Sequence, residues 1–139
     1  MEVEKKVGQT KNAGFQIGVR KTFSVSIDVV WDFLFTKQGL DIWLGHLDQD
    51  NPDFTKVYLT HEGVQGKITV FKPQSHIRLT WKPENWTNTS ILQVRLINTK
   101  GKTTVSFHQE KLANNNQREE MKAHWERVIE QIKKELSLL

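Results

Sequence analysis

The chain of 139 residues has no cysteine, which excludes disulfides, thiolate nucleophiles and thiolate metal ligands and fits a reducing compartment. No apolar run approaches the roughly 18 residues of a membrane span. The opening residues Met1-Glu2-Val3-Glu4-Lys5-Lys6 lack the apolar stretch of a secretory signal, so a cytoplasmic location without a membrane partner is expected. In that setting Asn85-Trp86-Thr87 and Asn88-Thr89-Ser90 are incidental matches to the glycosylation pattern. There is no glycine-rich phosphate loop, no internal repeat, and no low-complexity tract longer than Asn114-Asn115-Asn116. The formal net charge is +4, but its lysines and arginines are spread among 16 carboxylates without a basic cluster interleaved with aromatics. Nucleic-acid binding is not expected from such a pattern.

Hydrophobic residues make up 37% and charged residues 26%, the range of a globular domain with a core. The most organised stretch is Asn116 to Leu139. Met121, Trp125, Val128, Ile132, Leu136 and Leu139 recur at steps of three or four, the apolar stripe of one long helix. Charged residues fill its other side, and Asn116 with Glu119 resembles a capping box. A one-sided helix of this length requires a broad apolar partner.

The preceding chain supplies it as strands. Residues 1–14 are polar and aperiodic and read as a flexible lead-in to a single domain at 15–139. Ile17, Val19, Phe23, Val25 and Ile27 alternate with polar residues as a half-buried strand, with Lys21 the one polar residue at an inward position. Two short apolar helices follow. The first is capped by Ser26 and contains Val30, Trp31 and Leu34; the second, beyond an interruption at Gly39, contains Leu40, Trp43, Leu44 and Leu47. Asp48, Asp50 and Asp53 lie in a loop that lacks the glycine and closing glutamate of a calcium site, so they read as solvated carboxylates. Alternation then marks strands around Val57 and Leu59, Lys67 to Lys72, Ile77 to Trp81, Leu92 to Leu96, and Val105 to Phe107, with Lys100-Gly101 as a hairpin turn. Phe71, Ile91 and Ile97 fall on the outward parity, which marks either a partner surface or a bulge.

The order of these elements resembles the helix-grip fold of the START-like, or SRPBCC, superfamily. Val30-Trp31 with Leu34, Gly39-Leu40 with Trp43, Gly66-Lys67-Ile68 followed by Pro73 and Leu79-Thr80-Trp81, Thr89-Ser90 with Gly101-Lys102-Thr103, and His124-Trp125 with Val128 and Ile132 tighten it. Together they resemble the branch typified by the C-terminal domain of the activator of the heat-shock protein 90 ATPase, in which the residue before the last tryptophan is commonly glycine rather than His124. The resemblance implies an α+β fold: a curved antiparallel sheet of about six strands wrapped around a long C-terminal helix, with two short helices after the first strand. The superfamily includes lipid carriers, cyclases, hormone receptors and co-chaperone domains, so function rests on the site.

A sheet gripping a helix can enclose an apolar cavity for a small hydrophobic ligand. By alternation Leu79, Trp81, Leu92, Val94, Leu96, Val105 and Phe107 line its sheet side, Met121, Trp125 and Val128 its helix side, and Trp43 and Trp86 its mouth. The same residues serve equally well as a filled core. The inward set of the later strands contains no acid, base or nucleophile, and the five histidines make no metal set: His76 and His108 face outward, while His61 and His124 have no ligand-spaced partner. No catalytic residue, metal or cofactor is therefore expected. The leading expectation is non-catalytic binding of a small hydrophobic molecule. A co-chaperone-like module acting on a chaperone ATPase in a stress response is the alternative, and a cyclase- or dehydratase-type enzyme the third.

Overall fold

The computed structural model describes Gln9–Thr10, residues 14–48 and residues 56–138. The elements run β1 (Gln9–Thr10), β2 (Gly14–Phe23), α1 (Ile27–Leu34), α2 (Lys37–Trp43), β3 (Val57–Leu59), β4 (Val64–Lys72), β5 (His76–Pro83), β6 (Ser90–Thr99), β7 (Lys102–Leu112) and α3 (Asn115–Leu136). The strands form one antiparallel sheet in the order β1-β2-β7-β6-β5-β4-β3. This is the expected helix-grip architecture. Its seven strands exceed the expected six because the edges carry the two-residue β1 and the three-residue β3. β1 falls within the lead-in read as flexible, where Gln9 and Thr10 pair with Phe15 and Gly14. The rest of residues 1–13, together with Asp50, Asp53 and Leu139, lies outside the described residues.

Local chemistry explains the element boundaries. The expected first strand through Ile27 stops at Phe23, and Ile27 opens α1. Ser26 holds the N-cap position of α1, although its side chain makes no capping bond. Thr36 caps α2 by accepting from the Gly39 N–H at 3.0 Å. Gly39 therefore lies inside α2 instead of interrupting it, and Leu47 lies beyond the helix. The Gly39 position is set by packing: a Cβ there would stand 1.9 Å from the Phe33 carbonyl oxygen. In the β6–β7 hairpin Lys100 and Gly101 take φ of 52° and 79°, the left-handed pair a two-residue turn requires.

α3 begins two residues earlier than its sequence pattern indicates. Asn114 is the N-cap, accepting from the Gln117 N–H at 2.8 Å, and the Gln117 side-chain oxygen accepts from the Ala113 N–H at 2.9 Å. The Gln117 side chain also exchanges hydrogen bonds of 3.0 and 2.9 Å with Asn88, tying the start of α3 to the β5–β6 loop. Met121, Trp125, Val128, Ile132 and Leu136 are buried as the stripe requires. The helix lies on the concave face of the sheet, and at the rim Lys21 of β2 pairs with Glu130 of α3. A bulge between Ile68 and Val70 breaks the parity of β4, and Phe71 joins Trp31 and Phe35 at ring distances of 5.7 and 5.4 Å. For this residue the bulge explains the broken alternation. Ile97 remains exposed on the outer face.

Candidate functional site

The sheet register gathers the expected lining residues. Leu79 pairs with Leu92, Val94 with both Ile77 and Phe107, and Leu96 with Val105, all buried on the face that meets α3. Trp125 rests directly on this face: it stacks on Phe107 at 4.8 Å and meets Trp81 edge-on at 5.3 Å. Met121 and Val128 are buried along the same stripe, and Trp86 is buried in the β5–β6 loop. Trp43 belongs to the α1–α2 corner, where its Nε1–H donates to the Leu34 carbonyl at 2.8 Å and its ring lies 5.9 Å from Phe35.

The inward face is not free of polar groups. Ser90, Thr103 and Gln109 are fully buried, continuing the inward parity of Leu92 backward, of Val105 backward and of Phe107 forward. Extending each alternation by one step would have found them. Three of the four groups in the resulting chain of hydrogen bonds are side chains. Trp125 Nε1–H donates to Gln109 Oε1 at 2.8 Å, Gln109 Nε2–H to Ser90 Oγ at 2.9 Å, and the Ser90 hydroxyl to the Trp81 carbonyl at 2.7 Å. The indole, the amide and the hydroxyl each donate along this line, so it fixes the seat of Trp125, and the Ser90 hydroxyl proton is already committed.

Two buried polar atoms beside this line have no protein partner among the described residues: Trp81 Nε1 and His124 Nε2. Their rings are 6.1 Å apart, and His124 also packs edge-on against Trp125 at 4.6 Å. Burial, with a smaller contribution from Arg127, holds the His124 imidazole below its ordinary value of 6.5, so it is neutral at pH 7. A neutral imidazole offers one donor and one acceptor nitrogen. His124 as a whole is half-buried, with Nε2 turned inward. Its neighbour Trp81 comes from a distant strand, which no local spacing could reveal. His76 and His108 face outward as expected, with His108 bonded to Gln16 at 3.1 Å. No group of three or more potential metal ligands occurs among the described residues.

A curved sheet gripping a C-terminal helix over an aromatic interior defines a helix-grip protein of the START-like superfamily. Residues 24–137 match the family described as Activator of Hsp90 ATPase homolog 1-like protein, and the chain belongs to that family. Among solved structures it resembles CalU16 from Micromonospora echinospora, with TM-score 0.72, 16% identity, and coverage of 84% of this chain and 71% of that one. An HSP90 activator from Plasmodium falciparum has TM-score 0.72 and 16% identity, covering 88% of this chain and 96% of the other. A protein from Mesorhizobium loti has TM-score 0.72 and 17% identity with the same two coverages, 88% and 96%. At these identities the likeness is one of fold. No curated protein matches the chain. No helix among the described residues is long and apolar enough to cross a membrane.

Proposed function

We propose that the chain binds a small, mainly apolar ligand between the sheet and α3, without catalysing a reaction on it. The observation that carries this reading is the pair of unpartnered atoms, Trp81 Nε1 and His124 Nε2, within an interface whose other buried side-chain polar atoms are bonded. Leaving a buried polar group unpaired costs about 1–3 kcal/mol each, a cost a ligand would recover. The complementary molecule carries an acceptor, such as a carbonyl or ether oxygen, for the indole N–H. It also carries a group such as a hydroxyl that can give or take a hydrogen bond at His124. The aromatic and aliphatic surroundings favour an otherwise hydrophobic skeleton.

An amide-resolved NMR titration with a panel of small hydrophobic compounds tests the proposal. Saturable shifts are expected at Leu79, Trp81, Val94, Phe107 and Trp125. Trp81→Phe keeps an aromatic ring and removes only the donor, and is expected to weaken binding about tenfold, the value of one buried hydrogen bond. Absence of saturable shifts, or unchanged affinity in both Trp81→Phe and His124→Leu, would overturn it.

A second reading uses the same interface catalytically, as in a cyclase or dehydratase, and is supported by the neutral imidazole of His124, a form suited to proton abstraction. It requires an orienting acid, and no carboxylate among the described residues bonds to that ring. A co-chaperone-like role, modulating a chaperone ATPase, is supported by family membership and the HSP90 activator likeness.

A further inference from the structure

The convex face of the sheet, opposite α3, concentrates positive charge in a way the linear sequence conceals. Cross-strand register aligns Lys72 of β4 with His76 of β5, His76 with Arg95 of β6, Arg95 with Ser106 of β7, and Ser106 with Arg20 of β2. At the usual spacing of neighbouring strands this row is about 19 Å long. None of Lys72, Arg95 and Arg20 has a carboxylate partner among the described residues. The carboxylate that shares this face, Glu110, is engaged by Arg78 at 3.1 Å. Burial, and after it the charges of Arg95 and Lys72 on its two sides, hold the His76 imidazole below its ordinary value. Arg95 stands two strands, about 10 Å, from both Lys72 and Arg20, with His76 and Ser106 between them, so an anionic segment laid along the row would meet a cation at every second strand.

About 13 Å further along β5 the same face forms a groove of about 480 Å³ at the β3 edge. Val57 and Leu59, exposed at 76% and 63%, line one side of it, and Lys67 and Lys82 bring two ammonium groups. Val57 pairs with Lys67, so apolar and cationic side chains stand next to each other.

We infer that the convex face docks an extended acidic polypeptide segment that also carries apolar side chains. Its carboxylates would lie on the Lys72–His76–Arg95–Arg20 row and its apolar residues on Val57 and Leu59. Among the described residues the face offers a nucleic-acid base no phenylalanine, tyrosine or tryptophan ring beside the cations, only the imidazoles of His76 and His108: Phe71 turns inward through the bulge and the Tyr58 phenol is buried against the Thr80 carbonyl at 2.6 Å. This surface is on the opposite side of the sheet from the proposed ligand site and does not depend on it.

The test uses the whole isotope-labelled chain, a fluorescent peptide of alternating glutamate and leucine about ten residues long, enough to span row and groove, an all-glutamate peptide of equal length, and a single-stranded oligonucleotide. Expected are shifts confined to the convex face and about tenfold weaker binding of the alternating peptide by Lys72→Gln/Arg95→Gln, a change carried by surface charge. Val57→Ser/Leu59→Ser is expected to weaken the alternating peptide but not the all-glutamate one. Tighter binding of the oligonucleotide than of the alternating peptide would overturn the inference in favour of a nucleic-acid surface. No saturable binding, or binding unaffected by either double variant in chains whose spectra remain native, would overturn it as well.

Discussion

At the scale of single residues, Gly39 and Trp125 show two ways in which one side chain controls this fold. Gly39 is required because α1 and α2 meet at backbone contact, with the Phe33 carbonyl where a Cβ would sit. Gly39→Ala must push the helices apart and is expected to cost about 2 kcal/mol, as overpacking does. Denaturant titration checks this, and a loss under about 0.5 kcal/mol would show that the corner yields freely. Trp125 is the opposite case, a large side chain seated on Phe107 and anchored by Gln109. Trp125→Ala is expected to lose about 3–5 kcal/mol, the range for a buried aromatic cut to a methyl. Gln109→Leu, which strands the indole N–H without removing the ring, is expected to lose about 1–3 kcal/mol. If both variants unfold at the wild-type denaturant midpoint, the stripe of α3 is not the core contact described above.

Among the elements, α3 depends most on its ends. Its N-terminus is closed by Asn114, and Gln117 links the same turn to Asn88 in the β5–β6 loop. Asn114→Ala is expected to destabilise the chain by about 1 kcal/mol, the usual value of an N-cap side chain. Hydrogen exchange gives the sharper readout: the amide of Gln117 should lose protection while those near Ile132 keep theirs. Uniform loss along α3 would mean that the helix opens only with the whole domain. At the other end of the sheet, α2 is joined to the β3–β4 turn by polar contacts. The His46 N–H donates to Glu62 at 2.8 Å, the His46 ring pairs with the same carboxylate, and the His61 N–H donates to the His46 carbonyl at 2.8 Å.

The whole molecule registers these histidines through the pH dependence of its stability. His124 is held below 6.5 mainly by burial, so the folded chain resists a proton that the unfolded chain accepts. Stability from this residue is complete above 6.5 and falls as pH drops from there toward the depressed folded value. His46 works in the other direction. Its hydrogen bond and ion pair with Glu62, helped by Asp41, raise it, so its contribution is complete below 6.5 and fades as pH rises through the raised value. His46 is fully exposed, and its pair is screened by solvent and salt. Denaturation from pH 5 to 7 in high salt is therefore expected to show stability rising with pH. His124→Leu should flatten that rise, and an unchanged slope would mean that His124 gains a proton as readily in the folded chain as in the unfolded one.

Much of this organisation is local and therefore readable along the chain. The period of α3, the alternation of β5, β6 and β7, the Lys100-Gly101 turn and the aromatic lining set follow from spacing, because helical and extended backbones expose side chains at fixed intervals. The shift of the α3 cap from Asn116 to Asn114 is not set by spacing, since each has a capping-box residue three positions later, Glu119 and Gln117; in the fold Gln117 is also held by Asn88 of the β5–β6 loop. Other features depend on residues far apart in sequence. The bulge that turns Phe71 inward, the contact that excludes a side chain at Gly39, and the approach of Trp81 to His124 exist only once separate elements are packed. The cationic row is of the same kind: charges scattered between Arg20 and Arg95 become neighbours because strand order sets β2 beside β7 and β4 beside β5. The sequence by itself determined which elements form and which of their faces are apolar. Only the tertiary structure decided which buried polar atoms lack partners and where positive charge collects, since both depend on distances between residues that the chain does not place side by side.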